Sequence, residues 1–462
     1  MALRPASGWY RLPIEMQHRI SELFATIPRL PPLLDNHFNN APLEWGANSA
    51  AKLSERHFKN DVNCQMREIR RAMTVSKAWY EENRPYLHQV VEIQHSSDLL
   101  SLAKRLEVSN VLQNRLHNDS SITWTQSQDL SCTDSLRYVR RIIVSVDDSN
   151  RPYQRVGWTI ARAVSVIVAA CPRLEGLILL QANHMALQPE MVLDSLTNRS
   201  TSCLRSFSFL GLNIISVSQL AQILKGCPSL EELQITSPSA VSSEGMEIAL
   251  RTMEGVKLSL VTLMWAMTDS GQVQTAQLLA AMEMPHLRDV MVARAPNVTG
   301  YNTPECITTA FCEFLKRHGK QIRFLQIEGN DDEPDNDYIA DWLDLCPSLE
   351  DLILDPLLTV QFPAFVHYNL RRVGFIHFYK DWNPDRYLSI MEALITCCPQ
   401  LTTFRCFDGE PLEHCTTTVE TIQTSIAWSR PDIHSELVMP VASFCKEYGK
   451  GLEDANGMPM EC

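Results

Sequence analysis

The sequence has few glycines, 17 in 462 residues. A phosphate-binding loop or a dinucleotide fingerprint needs several glycines at fixed spacing, and neither pattern occurs. The metalloprotease pattern H-E-x-x-H and the hydrolase pattern G-x-S-x-G are also missing. The thirteen histidines are scattered along the chain. We therefore expect a protein that is not an enzyme, with no catalytic residues and no cofactor.

Long apolar runs are missing as well. The most apolar run, Ala163 to Cys171, is far too short to span a bilayer and lies between Arg162 and Arg173. The segment from Met1 to Tyr10 lacks the apolar core of a signal peptide. We expect an intracellular protein, cytoplasmic or nuclear, that is not secreted and does not bind membranes.

The cysteines do not have the spacing of a metal site. There are fourteen of them, but no C-x-x-C pair occurs. Four of them precede a proline, at Cys171, Cys227, Cys346 and Cys398. A small apolar thiol packs well at the end of a helix, so we expect reduced, buried cysteines and no metal.

Each of the four Cys-Pro pairs begins a repeated motif. Apolar residues follow at positions 0, +3 and +5, as in Leu174, Leu177 and Leu179. Proline ends a helix and favours an extended segment, and positions +3 and +5 point to one face of a strand. This L-x-x-L-x-L pattern is the core of a leucine-rich repeat.

Six further copies of the motif lack the Cys-Pro pair. Position 0 of the ten copies falls at residues 139, 174, 204, 230, 260, 287, 322, 349, 370 and 401. Helical spacing is visible between copies, for example from Val217 to Leu224. The sequence predicts an α/β leucine-rich-repeat solenoid of about ten repeats over residues 95–440, with a curved parallel sheet inside, helices outside and a C-terminal tail at 441–462.

Residues 1–94 do not follow the repeat. An amphipathic helical pattern begins near Pro13, and a second helical pattern runs through Trp79 and is ended by Pro85. Residues from about 28 to 63 form an insertion between them. The apolar residues Leu87, Val90, Val91 and Ile93 then predict a strand that leads to the first repeat.

The same segment resembles the F-box family. The family motif opens with Leu-Pro and an acidic residue, continues through an apolar stripe and closes on a Val-Ser-Lys-x-Trp helix, which is Val75 to Trp79 here. This segment is longer than the compact three-helix unit of the family because of the insertion. The resemblance implies that a Skp-family adaptor is bound by Leu12, Pro13, Glu15, Met16, Ile20, Leu23, Phe24, Val75 and Trp79.

An F-box followed by cysteine-containing leucine-rich repeats is the layout of the F-box/LRR proteins. This resemblance implies the substrate-recognition subunit of an SCF-type E3 ubiquitin ligase, in which the helices dock on the adaptor of a cullin-RING ligase. The repeats would then hold a protein destined for ubiquitin-dependent degradation. The alternative is a non-ligase repeat scaffold or inhibitor whose N-terminal helices only cap the first repeat.

Charge is unevenly distributed in a chain whose net charge is -13. Residues 1–155 carry 20 Lys/Arg against 17 Asp/Glu, and the remainder carries 21 against 37. An array this acidic repels phosphate backbones, so we expect no nucleic acid and instead a protein substrate with a basic segment.

The substrate face follows from strand alternation. Residues at positions +2, +4 and +6 lie opposite the core, and an apolar row there needs a cover. We predict substrate contacts at Ile178, Met264, Asp289, Met291, Glu328, Ile353 and Asp355. The alternative cover is a C-terminal segment of the chain itself, such as Glu436 to Phe444.

Overall fold

Parallel strands in sequential order form one sheet. The structure is a computed structural model that describes residues 90–93, 97–106, 136, 138–146, 162–181, 203–210, 215–236, 238–267, 271–294, 304–328, 338–354, 366–375, 384–406 and 438–453. Within these residues the sheet has twelve strands, and each pairs in parallel with its neighbours in sequence. A sheet order without crossovers is the topology of a stacked repeat array. The chain is therefore an α/β leucine-rich-repeat solenoid.

The strands are short, with three to six residues each. In chain order, β1 to β12 are Val90–Ile93, Arg141–Val146, Gly176–Gln181, Ser206–Leu210, Glu232–Thr236, Thr262–Met267, Asp289–Arg294, Phe324–Glu328, Asp351–Leu354, Arg372–Phe375, Thr403–Cys406 and Gly451–Glu453.

Helices connect many of these strands. Residues 97–106 and 162–169 are helical. The later helices, α1 to α7, are Val217–Gly226, Ser243–Met253, Gln272–Ala281, Pro304–His318, Tyr338–Leu345, Pro384–Cys397 and Val438–Glu447. A short 3-10 helix, Gly319–Gln321, follows α4.

The hydrophobic core lies between the sheet and the helices. Side chains at positions 0, +3 and +5 of the repeats enter it, as Leu230, Leu233 and Ile235 do, and all three are fully buried. Leu220 and Leu224 of α1 are buried on the helical side of the core, as their helical spacing predicts. Core residues from β1 to β12 belong to one continuous cluster, which is expected when each repeat buries its apolar face against the next.

Buried polar groups join the turns of neighbouring repeats. His318 and the carbonyl oxygen of Leu279 are hydrogen-bonded at 3.2 Å through Nε2. In a later turn His367 accepts a hydrogen bond at Nδ1 from the backbone N–H of Leu370, so its Nε2 carries the proton that is donated to the Cys346 carbonyl oxygen. Each bond gives a carbonyl oxygen near a helix end a second donor, since Leu279 also accepts from the Met282 N–H and Cys346 from the Leu349 N–H.

Two helix starts show how the local sequence sets the connections. Ser216 and Gln219 form a reciprocal capping box at the start of α1. Gly271 precedes α3 with a φ angle of 76°, and a Cβ atom there would lie 2.1 Å from the Pro238 carbonyl oxygen. Only glycine fits this position, because both the backbone conformation and the close approach exclude a side chain.

The ten strands predicted from the motif are confirmed. Each of β2 to β11 begins two residues after position 0 of its repeat, and β1 lies within the predicted strand segment from Leu87 to Ile93. The sheet also continues beyond the predicted array. Helix α7 and strand β12 extend it to Glu453, within residues that the sequence analysis assigned in part to a tail. The F-box-like motifs and the insertion at about 28–63 lie outside the described residues.

Candidate functional site

The face of the sheet opposite the helices carries a continuous row of side chains. Strand pairing places position +4 of each repeat beside position +4 of the next, for example Gln234 beside Met264 and Met264 beside Met291. From β2 to β11 the row is Ile143, Ile178, Ser208, Gln234, Met264, Met291, Gln326, Ile353, Gly374 and Arg405. We call this row the outer row. Its apolar members are not part of the core cluster, which confirms that they lie on the opposite face.

The outer row is buried from solvent. Its four predicted apolar contacts, Ile178, Met264, Met291 and Ile353, are 0 to 4% exposed. Such values are low for one face of a sheet, which is commonly solvated when no partner covers it. The sequence analysis required a cover over an apolar row, and the burial agrees with that requirement.

The C-terminal alternative is wrong for the residues of that segment that the structure describes. Helix α7 packs against α6, and its residues Val441 and Ala442 belong to the core cluster between sheet and helices. Phe444 packs against the same cluster. These residues therefore lie on the helical side of the sheet and do not cover the outer row.

A second row on the same face is largely polar in its centre. Position +2 places Ser206, Glu232, Thr262 and Asp289 side by side on β4 to β7. Asp289 is 2% exposed and accepts a hydrogen bond from Nε of Arg288 at 3.2 Å. Carboxylates alternating with hydroxyls favour a positively charged or hydrogen-bonding neighbour.

Some buried polar atoms on this face have no hydrogen-bond partner among the described residues. They are Oγ of Ser206, Oγ1 of Thr262 and Nε2 of Gln234, on three consecutive strands. Ser208, by contrast, donates a hydrogen bond of 3.0 Å to Oε1 of Gln234. A buried polar group without a partner costs about 1 to 3 kcal/mol, so a ligand that supplies these bonds would gain affinity here.

Ion pairs flank the face at its C-terminal end. The guanidinium of Arg372 binds both carboxylate oxygens of Asp351, with Nε at 2.5 Å from Oδ1. Arg405, at the end of the outer row, is 1% exposed and binds Glu453 of β12. The sequence analysis did not predict either pair, since the partners are 21 and 48 residues apart in the chain.

The remaining predicted contacts are only partly placed. Glu328 is the last residue of β8, at position +6, and Asp355 lies outside the described residues. All nine predicted adaptor contacts, from Leu12 to Trp79, also lie outside them. The structure therefore brings five of the predicted substrate contacts together on one face: Ile178, Met264, Asp289, Met291 and Ile353.

The Cys-Pro thiols lie away from this face, in the core. Cys171, Cys227, Cys346 and Cys398 are all fully buried, and burial raises the pKa of each thiol to about 12. A thiol with so high a pKa is neither a nucleophile nor a ready metal ligand near neutral pH. Among the described residues, no group of His, Cys, Asp and Glu has the arrangement of a metal site.

Comparison with known proteins adds little to this description. No family model and no curated protein matches the chain. Three similar solved structures are the TLR13–ssRNA13 complex, the leucine-rich-repeat protein LegL7 from Legionella pneumophila and the Rad7–Elc1 complex in yeast. Their identities are 13%, 13% and 14%, and their TM-scores are 0.29, 0.35 and 0.30.

Coverage differs among the three. The match to the TLR13 complex spans 52% of this chain and 30% of the TLR13 chain. The match to LegL7 spans 73% of this chain and 91% of LegL7. The match to the yeast complex spans 80% of this chain and 96% of the matched yeast chain. TM-scores this low carry no argument about function. The fold assignment rests on the order and register of the strands.

None of the described helices is long and apolar enough to cross a membrane.

Proposed function

We propose that this protein is the substrate-recognition subunit of an SCF-type E3 ubiquitin ligase. The observation that carries the proposal is the order of two parts in one chain. A segment with Leu-Pro-x-Glu and Val-Ser-Lys-x-Trp motifs precedes a sheet of repeats that presents one continuous face. In the F-box/LRR layout that it resembles, the first part docks on the Skp-family adaptor and the second holds the target.

The outer face supplies the substrate contacts in this proposal. Apolar side chains such as Met264 and Met291 anchor the target, and the carboxylates of Glu232 and Asp289 beside them favour a basic segment. Methionine suits this role because its flexible side chain adapts to different partners. The row is buried in this structure, so substrate contact requires these side chains to become accessible.

The chain performs no bond chemistry in this proposal. Its contribution is proximity: a target held on the repeats stays near the conjugating enzyme that the cullin carries. Tethering of this kind raises the effective concentration of a target lysine to about the millimolar range for short, flexible connections.

The competing function is a repeat scaffold or inhibitor without a ligase. The face and its chemistry would be the same, and residues 1–94 would only cap the first repeat. What favours the ligase is that both F-box-like motifs occur in the family's order.

Co-purification distinguishes the two functions. The full chain is mixed with purified Skp-family adaptor and cullin, beside a Leu12→Ala, Pro13→Ala variant. We expect the wild type to retain the adaptor and the variant to lose it, because the variant removes apolar contact and the proline that starts the helix. The variant's melting temperature serves as the control, and it should match that of the wild type.

A further inference from the structure

The turns that precede the strands form a second surface, which we call the leading edge. It consists of the residues between each helix end and the next strand. Position +1 residues stack along it: the backbone N–H of Arg323 donates to the Arg288 carbonyl oxygen at 2.8 Å, and that of Glu350 donates to Arg323 at 2.8 Å. Side chains in neighbouring turns are therefore about one strand spacing, roughly 4.8 Å, apart.

Charges alternate along much of the leading edge. Arginine faces glutamate in three ion pairs, Arg140–Glu175 at 3.6 Å, Arg205–Glu231 at 3.4 Å and Arg323–Glu350 at 3.7 Å. The alternation breaks before β7 and β8, where Val261 is followed by Arg288 and Arg323. Two arginines then lie in neighbouring turns, where like charges repel each other. Each also has one acidic neighbour, since Arg288 is hydrogen-bonded to Asp289 and Arg323 pairs with Glu350.

More positive charge accumulates at the same place. The eight residues from Lys316 to Arg323 contain four Lys or Arg and no acidic residue. Lys316 lies in the last turn of α4, where a cation is stabilised by the helix dipole. It also forms an ion pair with Glu313. Lys320 and Arg323 lie beyond that helix and are exposed, so the helix dipole does not account for them.

Hydrogen bonds hold this basic segment against the turns on both sides. Gln321 donates from Nε2 to the Met284 carbonyl oxygen at 2.5 Å, and Ser348 donates from Oγ to the Lys320 carbonyl oxygen at 2.6 Å. In the following turn Asn369 donates to the Pro347 carbonyl oxygen at 2.8 Å. The leading edge is thus one continuous surface from β7 to β10.

Exposed apolar side chains occur on this surface. Val366 and Tyr368, in the turn before β10, are 53% and 69% exposed. The other exposed large hydrophobic side chains among the described residues are Ile248 at 53% and Tyr448 at 41%. Two of them in one turn beside a basic patch mark an interaction surface more strongly than either would alone.

We propose that the leading edge of β7 to β10 binds an acidic peptide segment of a partner protein, with one apolar side chain as its anchor. The carboxylates contact Arg288, Lys320 and Arg323, and the anchor packs on Val366 and Tyr368. The strands β8 and β10 are two spacings apart, about 10 Å, which an extended peptide covers in roughly three residues. The anchor therefore lies about three residues from the carboxylates.

The net charge of the chain opposes this binding, so the attraction has to come from nearby positive charges. At -13 the protein as a whole repels an acidic peptide, so attraction must come from charges within about one Debye length, roughly 8 Å at physiological salt. The surface adjoins the outer face at Arg288, which is hydrogen-bonded to Asp289, and the proposal does not depend on the ligase assignment.

Fluorescence anisotropy with the full chain tests it. The probe is a labelled, Glu-rich peptide of about 12 residues with one central Phe, used at about 50 and 300 mM salt. Arg288→Glu with Arg323→Glu should weaken binding about tenfold or more at low salt. The matched control is Arg140→Glu with Arg205→Glu, which changes the same charge on the same edge at similar side-chain exposure, 45% and 64% against 45% and 61%.

The apolar contact has its own matched pair. Val366→Ser should weaken binding about threefold or more because the anchor loses buried apolar area. Ile248→Ser, at an equal exposure of 53%, should leave it unchanged. Arg288→Glu removes a hydrogen bond to the buried Asp289, so the melting temperature of every variant is measured beside its binding. If a double variant unfolds, Lys320→Glu alone replaces it.

Three results would overturn the proposal. The wild type could fail to bind the acidic peptide at low salt. Both charge-reversal pairs could weaken binding equally, which would mean that only overall charge matters. Finally, a single-stranded oligonucleotide could bind more tightly than the peptide through the same arginines, which would make the ligand a nucleic acid.

Discussion

His318 lies between two repeats, and its titration offers a quantitative test of their packing. The side chain is 3% exposed, its ring lies 5.2 Å from that of Phe314, and it is hydrogen-bonded to the Leu279 carbonyl oxygen. Burial lowers the pKa of His318 from 6.5 to about 4; the Leu279 carbonyl opposes this shift, and Arg317 adds to it. The folded protein therefore keeps a neutral imidazole at pH values where the unfolded chain already binds a proton.

The sign of the effect follows from proton uptake. Above about pH 7 neither state is protonated at this residue, and it contributes no pH dependence. As the pH falls below 6.5, the unfolded state gains a proton that the folded state does not, so stability decreases. With a folded pKa of about 4, the loss at about pH 4.5 is about 2.5 kcal/mol, since each pKa unit corresponds to about 1.4 kcal/mol.

The assay compares wild type with His318→Gln by urea unfolding between about pH 7 and 4.5. Glutamine can still donate to the Leu279 carbonyl oxygen but does not titrate. At neutral pH the variant should be the less stable protein, because it loses the ring contact with Phe314. That difference should shrink, and could reverse, as the pH falls. Carboxylates titrate in both proteins and cancel in the comparison, so a difference that stays constant with pH would refute a buried neutral His318.

Four further variants test the packing of the repeats. Leu349→Ala should reduce the free energy of unfolding by about 2 to 5 kcal/mol, measured by chemical denaturation, because Leu349 is fully buried at position 0; a loss below about 1 kcal/mol would contradict this. Gly271→Ala should lower the melting temperature clearly, since its Cβ would meet the Pro238 carbonyl oxygen; an unchanged melting temperature would count against the described turn. Thr262→Val should be neutral or stabilising, whereas Ser208→Ala should cost about 1 kcal/mol because it breaks the bond to Gln234; the reverse order would show that Thr262 has a partner.

The strands were predictable because their signal is local. Positions 0, +3 and +5 fall within six residues, and their repetition at ten places removes the ambiguity of any single apolar run. Strand β12 shows the limit of the same signal. Of its three template positions, Gly449, Leu452 and Asp454, only Leu452 is apolar. It joins the sheet because the exposed edge of β11 supplies backbone partners, which the pattern does not encode.

The candidate site was predictable only in part, for a related reason. Alternation assigns Met264 and Met291 to the outer face, and the register places them side by side as expected. It does not reveal that both are buried, because burial depends on what packs on the face. Pairing between Arg405 and Glu453 could not be predicted either, since it joins residues 48 positions apart through a strand that the motif missed.

The leading edge was visible in the sequence but was not recognised. The run from Lys316 to Arg323 has four basic residues in an acidic chain, and that local contrast is a signal that net charge hides. Its neighbour Arg288 is 28 residues from Lys316 in the sequence. Only the stacking of turns brings the two segments together.

We propose that this repeat protein connects a target to a ubiquitin ligase. The most direct test is reconstitution of the full chain with purified Skp-family adaptor and cullin, followed by size-exclusion chromatography. We expect one stable complex that contains all three proteins, and its loss when Leu12 and Pro13 are replaced by alanine. If the wild-type chain, with its repeats folded, elutes apart from the adaptor, the ligase assignment is wrong and the protein is a repeat scaffold without an SCF complex.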